Sequence, residues 1–199
     1  MYREEYAAYV SLIQRRLSAK RFAHSMNVAK EAVLLARRCG ADEKKAYLAG
    51  VLHDVMKEES PQVQMATMRR SSQPWDPVTL SARPLWHAKA GAVFCRLELG
   101  ITDPDVLNAI AYHTTARANM SPLEIALYLA DYIGEDRHYD DVDIMRDKTR
   151  RSIHEGMRYA LIYTITDLAR RGKAIHADTL GAYNQVVLSE RKDDSCEQK

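Results

Sequence analysis

Apolar residues recur along this chain at intervals of three and four, and no window alternates apolar and polar residues long enough for a strand. A first amphipathic helix is predicted over residues 2–17, with Tyr6, Tyr9 (or Val10), Ile13 and Leu17 on one side. A second covers 22–39, closed by Gly40 in the C′ position. Asp42 caps a third that runs to about Lys57. Ser60-Pro61 restarts a short helix to Arg70, residues 71–77 read as a loop, and Pro84 opens a helix that Gly100 ends. Thr102-Asp103-Pro104 caps a helix reaching about His113, and the capping box Ser121-Pro122-Leu123-Glu124 opens another that stops at Gly134. A long helix is expected over about 143–171, with Ile153, Met157, Ala160, Thr164 and Leu168 inward and Gly172 as its stop; Asp178 caps a last one. The expected fold class is all-α, a single helical bundle.

Composition adds bounds. At 199 residues and 46% hydrophobic content the chain can bury one full core, expected over 1–190, with a disordered tail over 191–199. Net charge is +2 with acids and bases mixed throughout, so neither nucleic acid nor a membrane is an expected partner. Cys39, Cys95 and Cys196 are widely spaced and lack a C-x-x-C, which reads as reduced thiols in a cytoplasmic protein and leaves no thiolate zinc cage. Arg3, Glu4 and Glu5 argue against a signal peptide, and no apolar run approaches the length of a membrane span.

The chemistry gathers around Leu52-His53-Asp54-Val55-Met56-Lys57. On a helix, Ala46, Ala49, Gly50 and His53 share a face, Asp54 lies about 100° further round, and Lys57 projects from the side of His53. Small residues below His53 let another helix approach closely. His24 shares a stripe with Val28, Ala32, Leu35 and Cys39; His87 with Gly91, Phe94 and Glu98; His113 with Val106 and Ile110; Asp131 with Leu127 and Leu123. Taken alone, each histidine reads as a core imidazole satisfied by a backbone carbonyl, and Asp131 as a capping or ion-paired carboxylate. Buried charges are costly unless paired or ligated. Four histidines and two aspartates on inward stripes of one small domain therefore point to a shared metal site.

His24, then His53-Asp54, then Asp131, resembles the H…HD…D signature of the HD-domain superfamily of metal-dependent phosphohydrolases. Arg21-Phe22-Ala23-His24-Ser25, Gly40-Ala41-Asp42, His53-Asp54 with Lys57, Trp86-His87-Ala88, Tyr112-His113-Thr114 and Ala130-Asp131-Tyr132-Ile133 resemble its YqeK-type branch, the symmetrical dinucleoside tetraphosphate hydrolases. The resemblance runs over roughly residues 4–188. The chain departs from that branch at Val55-Met56, where a tyrosine-alanine pair is usual, and at Ala116-Arg117-Ala118-Asn119, which lacks the usual glycines. It departs again at Lys173–Thr179, which lacks the proline and aromatic of the segment that touches the base.

Phosphoric anhydrides resist hydrolysis because their anionic oxygens repel a nucleophile and water is a poor one; a bound metal answers both problems. Two imidazoles and two carboxylates suit an octahedral ion with open positions better than a closed structural zinc. The expected ligands are His24, His53, Asp54 and Asp131. The resemblance implies iron; manganese or cobalt suits the same donors, and one ion is expected with two as the alternative. Arg21, three residues before His24, is placed to grip a phosphate bidentately, and Lys57 to hold a second as a point charge. His87 and His113 read either as protonated donors to a bridging or leaving phosphate oxygen or as ligands of a second ion. By resemblance Thr114 and Arg137 contact far phosphates or ribose, Asp131 joins the nucleotide contacts, and His53 and Asp54 join Lys57, His87 and His113 as catalytic residues. The implied reaction is attack at the centre of diadenosine tetraphosphate with release of two ADP. Two rivals use the same residues: another HD-type nucleotide phosphohydrolase (a deoxynucleoside monophosphatase or an alarmone hydrolase), and a regulator that holds metal and ADP without turnover. Tyr2, Tyr6 and Tyr9 of the first helix offer either a homodimer face or a satellite of the core.

Overall fold

The computed structural model describes residues 2–196, with side chains described from residue 4 to 189. Every regular element among the described residues is helical: α1 (Tyr2–Glu5), α2 (Ala7–Arg16), α3 (Ala19–Cys39), α4 (Glu43–Leu52), α5 (Pro61–Met68), α6 (Pro77–Ser81), α7 (Trp86–Glu98), α8 (Pro104–Tyr112), α9 (Pro122–Ile133), α10 (Val142–Arg151), α11 (Ile153–Arg170) and α12 (Ala177–Cys196), with a 3₁₀ turn at Arg83–Leu85. The all-α expectation holds, and the caps explain most boundaries. Asp42 accepts from the amides of Lys44 and Lys45, Gly40 ends α3 at φ 73°, and Ser121 and Glu124 close a reciprocal capping box on α9.

Several boundaries differ from expectation, each for a local reason. The first helix breaks at Tyr6, whose backbone leaves the helical region, and α3 starts earlier than expected because Ser18 caps it. The third helix ends at Leu52 instead of continuing to Lys57, and residues 53–57 form successive turns, with Val55 N–H donating to Leu52 O and Lys57 N–H to Asp54 O. The 71–77 loop gives way at Pro77 to α6, capped by Asp76. The long helix expected over 143–171 divides at Ser152, which turns extended and caps α11 by accepting from Glu155 N–H. The last helix begins at Ala177, one residue before the expected cap Asp178; its first turn is instead held by His176 Nδ1, which accepts from the Asp178 amide at 3.1 Å. Backbone is helical as far as Cys196; the remainder of the tail expected to be disordered lies outside the described residues.

The core is built where α3 packs against α4 and α9, with Val28, Ala29, Ala32, Leu52, Leu123, Leu127 and Ile110 all buried. Gly50 makes that contact possible: a Cβ there would stand 2.5 Å from the Ala29 Cα, so only hydrogen fits between α3 and α4. The close approach sets His53, one turn further along, directly beside His24. Tyr6 and Tyr9 lie against the core, Tyr6 stacking on Tyr47 with centroids 6.2 Å apart; the Tyr2 side chain lies outside the described residues. In the loop that lacks glycines, Ala116 and Asn119 both adopt the left-handed region, at φ 55° and 56°. Asparagine tolerates that region, whereas alanine is strained there.

Candidate metal and phosphate site

Helix ends bring the charged residues together. His24 sits near the start of α3, His53 caps the C-terminus of α4 with Asp54 following, His87 opens α7, His113 caps the end of α8, and Asp131 lies in the last turn of α9. All four imidazoles and Asp54 are buried. His24 Nε2 lies 3.0 Å from Asp131 Oδ1 and 3.8 Å from Asp54 Oδ2; His53 Nε2 lies 3.5 Å from Asp54 Oδ2 and 4.0 Å from Asp131 Oδ1. The other Asp54 oxygen, Oδ1, faces His87 Nε2 at 3.2 Å and His113 Nε2 at 3.8 Å. One carboxylate thus stands between two pairs of imidazoles.

Backbone and carboxylate acceptors fix which nitrogen points inward. A carbonyl oxygen can only accept, so His53 Nδ1–H donates to Gly50 O at 2.7 Å and His113 Nδ1–H to Ile110 O at 2.8 Å. His24 Nδ1–H likewise donates to Asp136 Oδ2 at 2.8 Å. In its neutral form each of the three presents its Nε2 lone pair to the cluster, the orientation that ligating histidines take from their outer partners. His53 Nε2 and Asp54 Oδ1 are buried without a hydrogen-bond partner. Buried orphans of this kind call for an ion or water, and their chemistry fits a cation. Two compact donor groups exist among the described residues, His24 with His53 and Asp131, and His53 with Asp54 and His113, each with donor atoms within 4.8 Å of one another.

The electrostatics favour positive charge at the centre. Burial works to raise the Asp54 carboxyl, but the neighbouring His53 and His87 imidazoles outweigh it and hold it well below the usual range. Asp131 is held low in the same way, burial being outweighed by the neighbouring His24 and the Arg137 guanidinium. Burial, with His53 and His87 adding to it, drives His113 well below the ordinary imidazole value, and burial also lowers His87. Both aspartates therefore remain anionic, and His113 is neutral, at physiological pH.

The cations expected to meet phosphate stand around this cluster. Arg21 reaches Asp54 Oδ2 at 2.8 Å, and Arg137 contacts Asp131 Oδ1 with one nitrogen and the Asp131 carbonyl with another at 2.6 Å. Lys57 Nζ lies 3.2 Å from His87 Nε2, and burial lowers its pKa. Lys57 gets there from the turn after α4 and not from the helix face the spacing implied. His113, Thr114, Asp131 and Arg137 line one cleft of 300 Å³ that opens beside the cluster, and the Thr114 hydroxyl is enclosed there without a hydrogen-bond partner. Asp136 escaped the sequence reading. Its one signal was Asn27, one turn after His24 on α3, whose amide donates to Asp136 Oδ1 at 3.3 Å.

Residues 21–136 match the model of the HD domain family. The chain is 36% identical over 182 residues to a protein of Halalkalibacterium halodurans named symmetrical bis(5'-nucleosyl)-tetraphosphatase, covering 92% of this chain and 97% of the relative. A Bacillus subtilis protein of the same name is 34% identical over 188 residues, covering 94% of this chain and 98% of the relative. Among solved structures, one from Clostridium acetobutylicum, described as a predicted HD superfamily hydrolase involved in NAD metabolism, matches with a TM-score of 0.88 at 31% identity, over 92% of this chain and 97% of that one.

Proposed function

The chain belongs to the HD-domain family, and on that premise we propose that it is a metal-dependent hydrolase that cleaves diadenosine tetraphosphate and related dinucleoside polyphosphates symmetrically into two nucleoside diphosphates. That is the activity in the names of both bacterial relatives. The observation that carries the reading is Asp54, buried between two imidazole pairs with Arg21 and Lys57 at its edge. It joins a cation-holding donor set directly to phosphate-neutralising side chains.

In this reading His24, His53, Asp54 and Asp131 hold the ion. A divalent ion there supplies a water of lowered pKa and neutralises phosphate charge. The all-nitrogen-and-oxygen donor set supports iron, manganese or cobalt over a structural zinc. Arg21 and Arg137, each already against a ligand carboxylate, steady the carboxylates and offer their remaining N–H groups to phosphate oxygens. Lys57 adds a point charge on the His87 side. Their contacts support different roles for the two histidines that the sequence left with alternatives. His113, neutral with its Nε2 lone pair inward, is suited to accept or ligate. His87 Nε2, 3.1 Å from His113 Nε2 and 3.2 Å from Asp54 Oδ1, is suited to carry a proton between acceptors and pass it to a leaving phosphate oxygen. In the alternative with two ions, His87 and His113, which face the other Asp54 oxygen, would hold the second.

The test is product analysis. Metal-loaded protein incubated with diadenosine tetraphosphate is expected to release ADP alone; AMP with ATP would overturn symmetrical cleavage. A panel including deoxynucleoside monophosphates and a guanosine alarmone separates the other HD-type activities, and binding of ADP without any turnover would mark a regulator instead.

A further inference from the structure

We propose that the cleft between α7, α8 and the 71–75 loop is a second ligand site, which takes a small aromatic carboxylate with its acid group on the Lys89 ammonium. The site does not depend on the hydrolase reading. Lys89 follows His87 by two residues, about 200° round α7, so it leaves the helix on the side away from the metal cluster. It lines a hollow of 180 Å³ instead, together with Trp75, Val93, Arg96, Asn108 and Tyr112.

The ammonium points to an anion. Lys89 is 4% exposed, yet among the described residues its Nζ has neither a hydrogen-bond acceptor nor an ion-pair partner, only the Tyr112 ring with its centroid 4.0 Å away. That ring already serves a second cation, the Arg117 guanidinium, whose carbon stands 4.7 Å from the centroid. A buried charge held this way is costly, because a ring face replaces only part of the hydration that an ammonium gives up. No acidic residue lines the hollow to make good the rest. Arg96 and the Asn108 amide add side-chain donors that, among the described residues, are committed to no other group.

Size and walls choose among anions. A dry cavity of about 150 Å³ takes up a benzene ring. The 180 Å³ here therefore suits one ring with a small substituent, and it falls below the roughly 300 Å³ at which sites for larger molecules begin. Trp75 and Val93 supply apolar wall, and Trp75 is held in place by its indole N–H, which donates to Met68 O at 3.1 Å. An inorganic anion would leave that wall uncovered, and a neutral ring would leave the ammonium unpaired. An aromatic monocarboxylate answers both, its carboxylate accepting charge-assisted hydrogen bonds from Lys89.

Calorimetry on the manganese-loaded protein tests the site with three probes: benzoate, acetate as the acid without the ring, and benzyl alcohol as the ring without the acid. The wild type is expected to bind benzoate saturably, with Kd on the order of 1 mM for so small a ligand. Acetate and benzyl alcohol should each bind about tenfold or more weakly, the scale of losing the buried ring or the charged hydrogen bond. In Lys89→Met, which keeps the stem and removes the charge, benzoate should fall to the level of benzyl alcohol. A metal ion also attracts carboxylates, and the comparison separates the two places. Benzoate binding that survives in Lys89→Met, or acetate that binds the wild type as well as benzoate does, would put the acid on the ion and overturn the site. Absence of saturable benzoate binding by the wild type would overturn it too. The wild-type comparisons decide the matter even if the variant fails to fold.

Discussion

His24 Nδ1 lies 2.8 Å from Asp136 Oδ2, and that one contact decides the tautomer of the first histidine in the cluster. The carboxylate claims the Nδ1 proton and turns the Nε2 lone pair toward Asp131, 3.0 Å away. Asp136→Ala leaves the helices untouched, since Asp136 sits in the loop after α9. It is expected to weaken metal affinity by roughly 10–100-fold, the usual scale for losing such a partner. Metal titration of the chelated protein checks it, and an unaltered affinity would remove Asp136 from the account.

Gly50→Ala is the corresponding test of the helix contact that places His53. The added methyl meets the Ala29 backbone at 2.5 Å, and backbone cannot swing aside as a flexible side chain does. Overpacking of this kind costs about 1–3 kcal/mol. The midpoint of urea unfolding should fall accordingly, and metal should be held less tightly because α4 carries His53 and Asp54 away with it. A Gly50→Ala protein with wild-type stability would mean that α3 and α4 separate easily.

Much of this was legible in the residues themselves. The helices betray themselves through Asp42, Gly40 and the Ser121–Glu124 box, because caps are local chemistry written in neighbouring positions. The break at Ser152 had the same kind of signal, a serine three residues before Glu155, but the apolar positions Val142, Met145 and Ile153 keep a helical spacing across it and hid it. The histidine and aspartate positions were readable because polar groups on apolar stripes need a partner, so their convergence followed from burial alone. What the chain order could not disclose was which atoms face which. That Asp54 divides its oxygens between two imidazole pairs, or that Asp136 reaches back to His24, depends on how helix ends meet across more than 100 residues of sequence.

Lys57 supplies a pH prediction. Its burial lowers its pKa, and its charge is needed only while protonated, so activity should fall as pH rises through that lowered value, before the ordinary lysine range of about 10.4. Lys57→Arg keeps a cation that does not titrate there. Its alkaline limb in kcat/KM is expected to move to higher pH, whereas Lys57→Ala keeps the metal and loses turnover. An alkaline limb that does not move in Lys57→Arg assigns it to another group.

Metal removal should show in stability as well as in activity. An ion bound by the folded state alone adds RT ln(1 + [L]/Kd), about 2.7 kcal/mol at a hundredfold excess over Kd. Chelation is expected to lower Tm by several degrees, with recovery on adding manganese. His53→Ala, which removes a lone pair common to both donor groups, should show no such recovery and no turnover. Recovery in that variant would place the ion elsewhere.

The last prediction concerns a charge the reaction does not use. Lys89 is 4% exposed on α7, its ammonium 4.0 Å from the centroid of the Tyr112 ring, and among the described residues no carboxylate forms an ion pair with it. Burial pulls its pKa from 10.5 to about 8, against the more distant pull of Asp178 and Asp76. Between those two values the unfolded chain holds a proton that the native state has released, so Lys89 makes stability rise with pH across that window. Below pH 8 the lysine is charged in both states and its burial costs about 3 kcal/mol, of which the ring contact returns roughly 1. Lys89→Met, close in shape and uncharged, should therefore be more stable than the wild type at pH 7 by about 1–2 kcal/mol, with the gap narrowing toward pH 10. Urea unfolding of both proteins at the two pH values checks it; a variant less stable at pH 7 would show that the buried ammonium holds α7 against α8 more strongly than its desolvation opposes it.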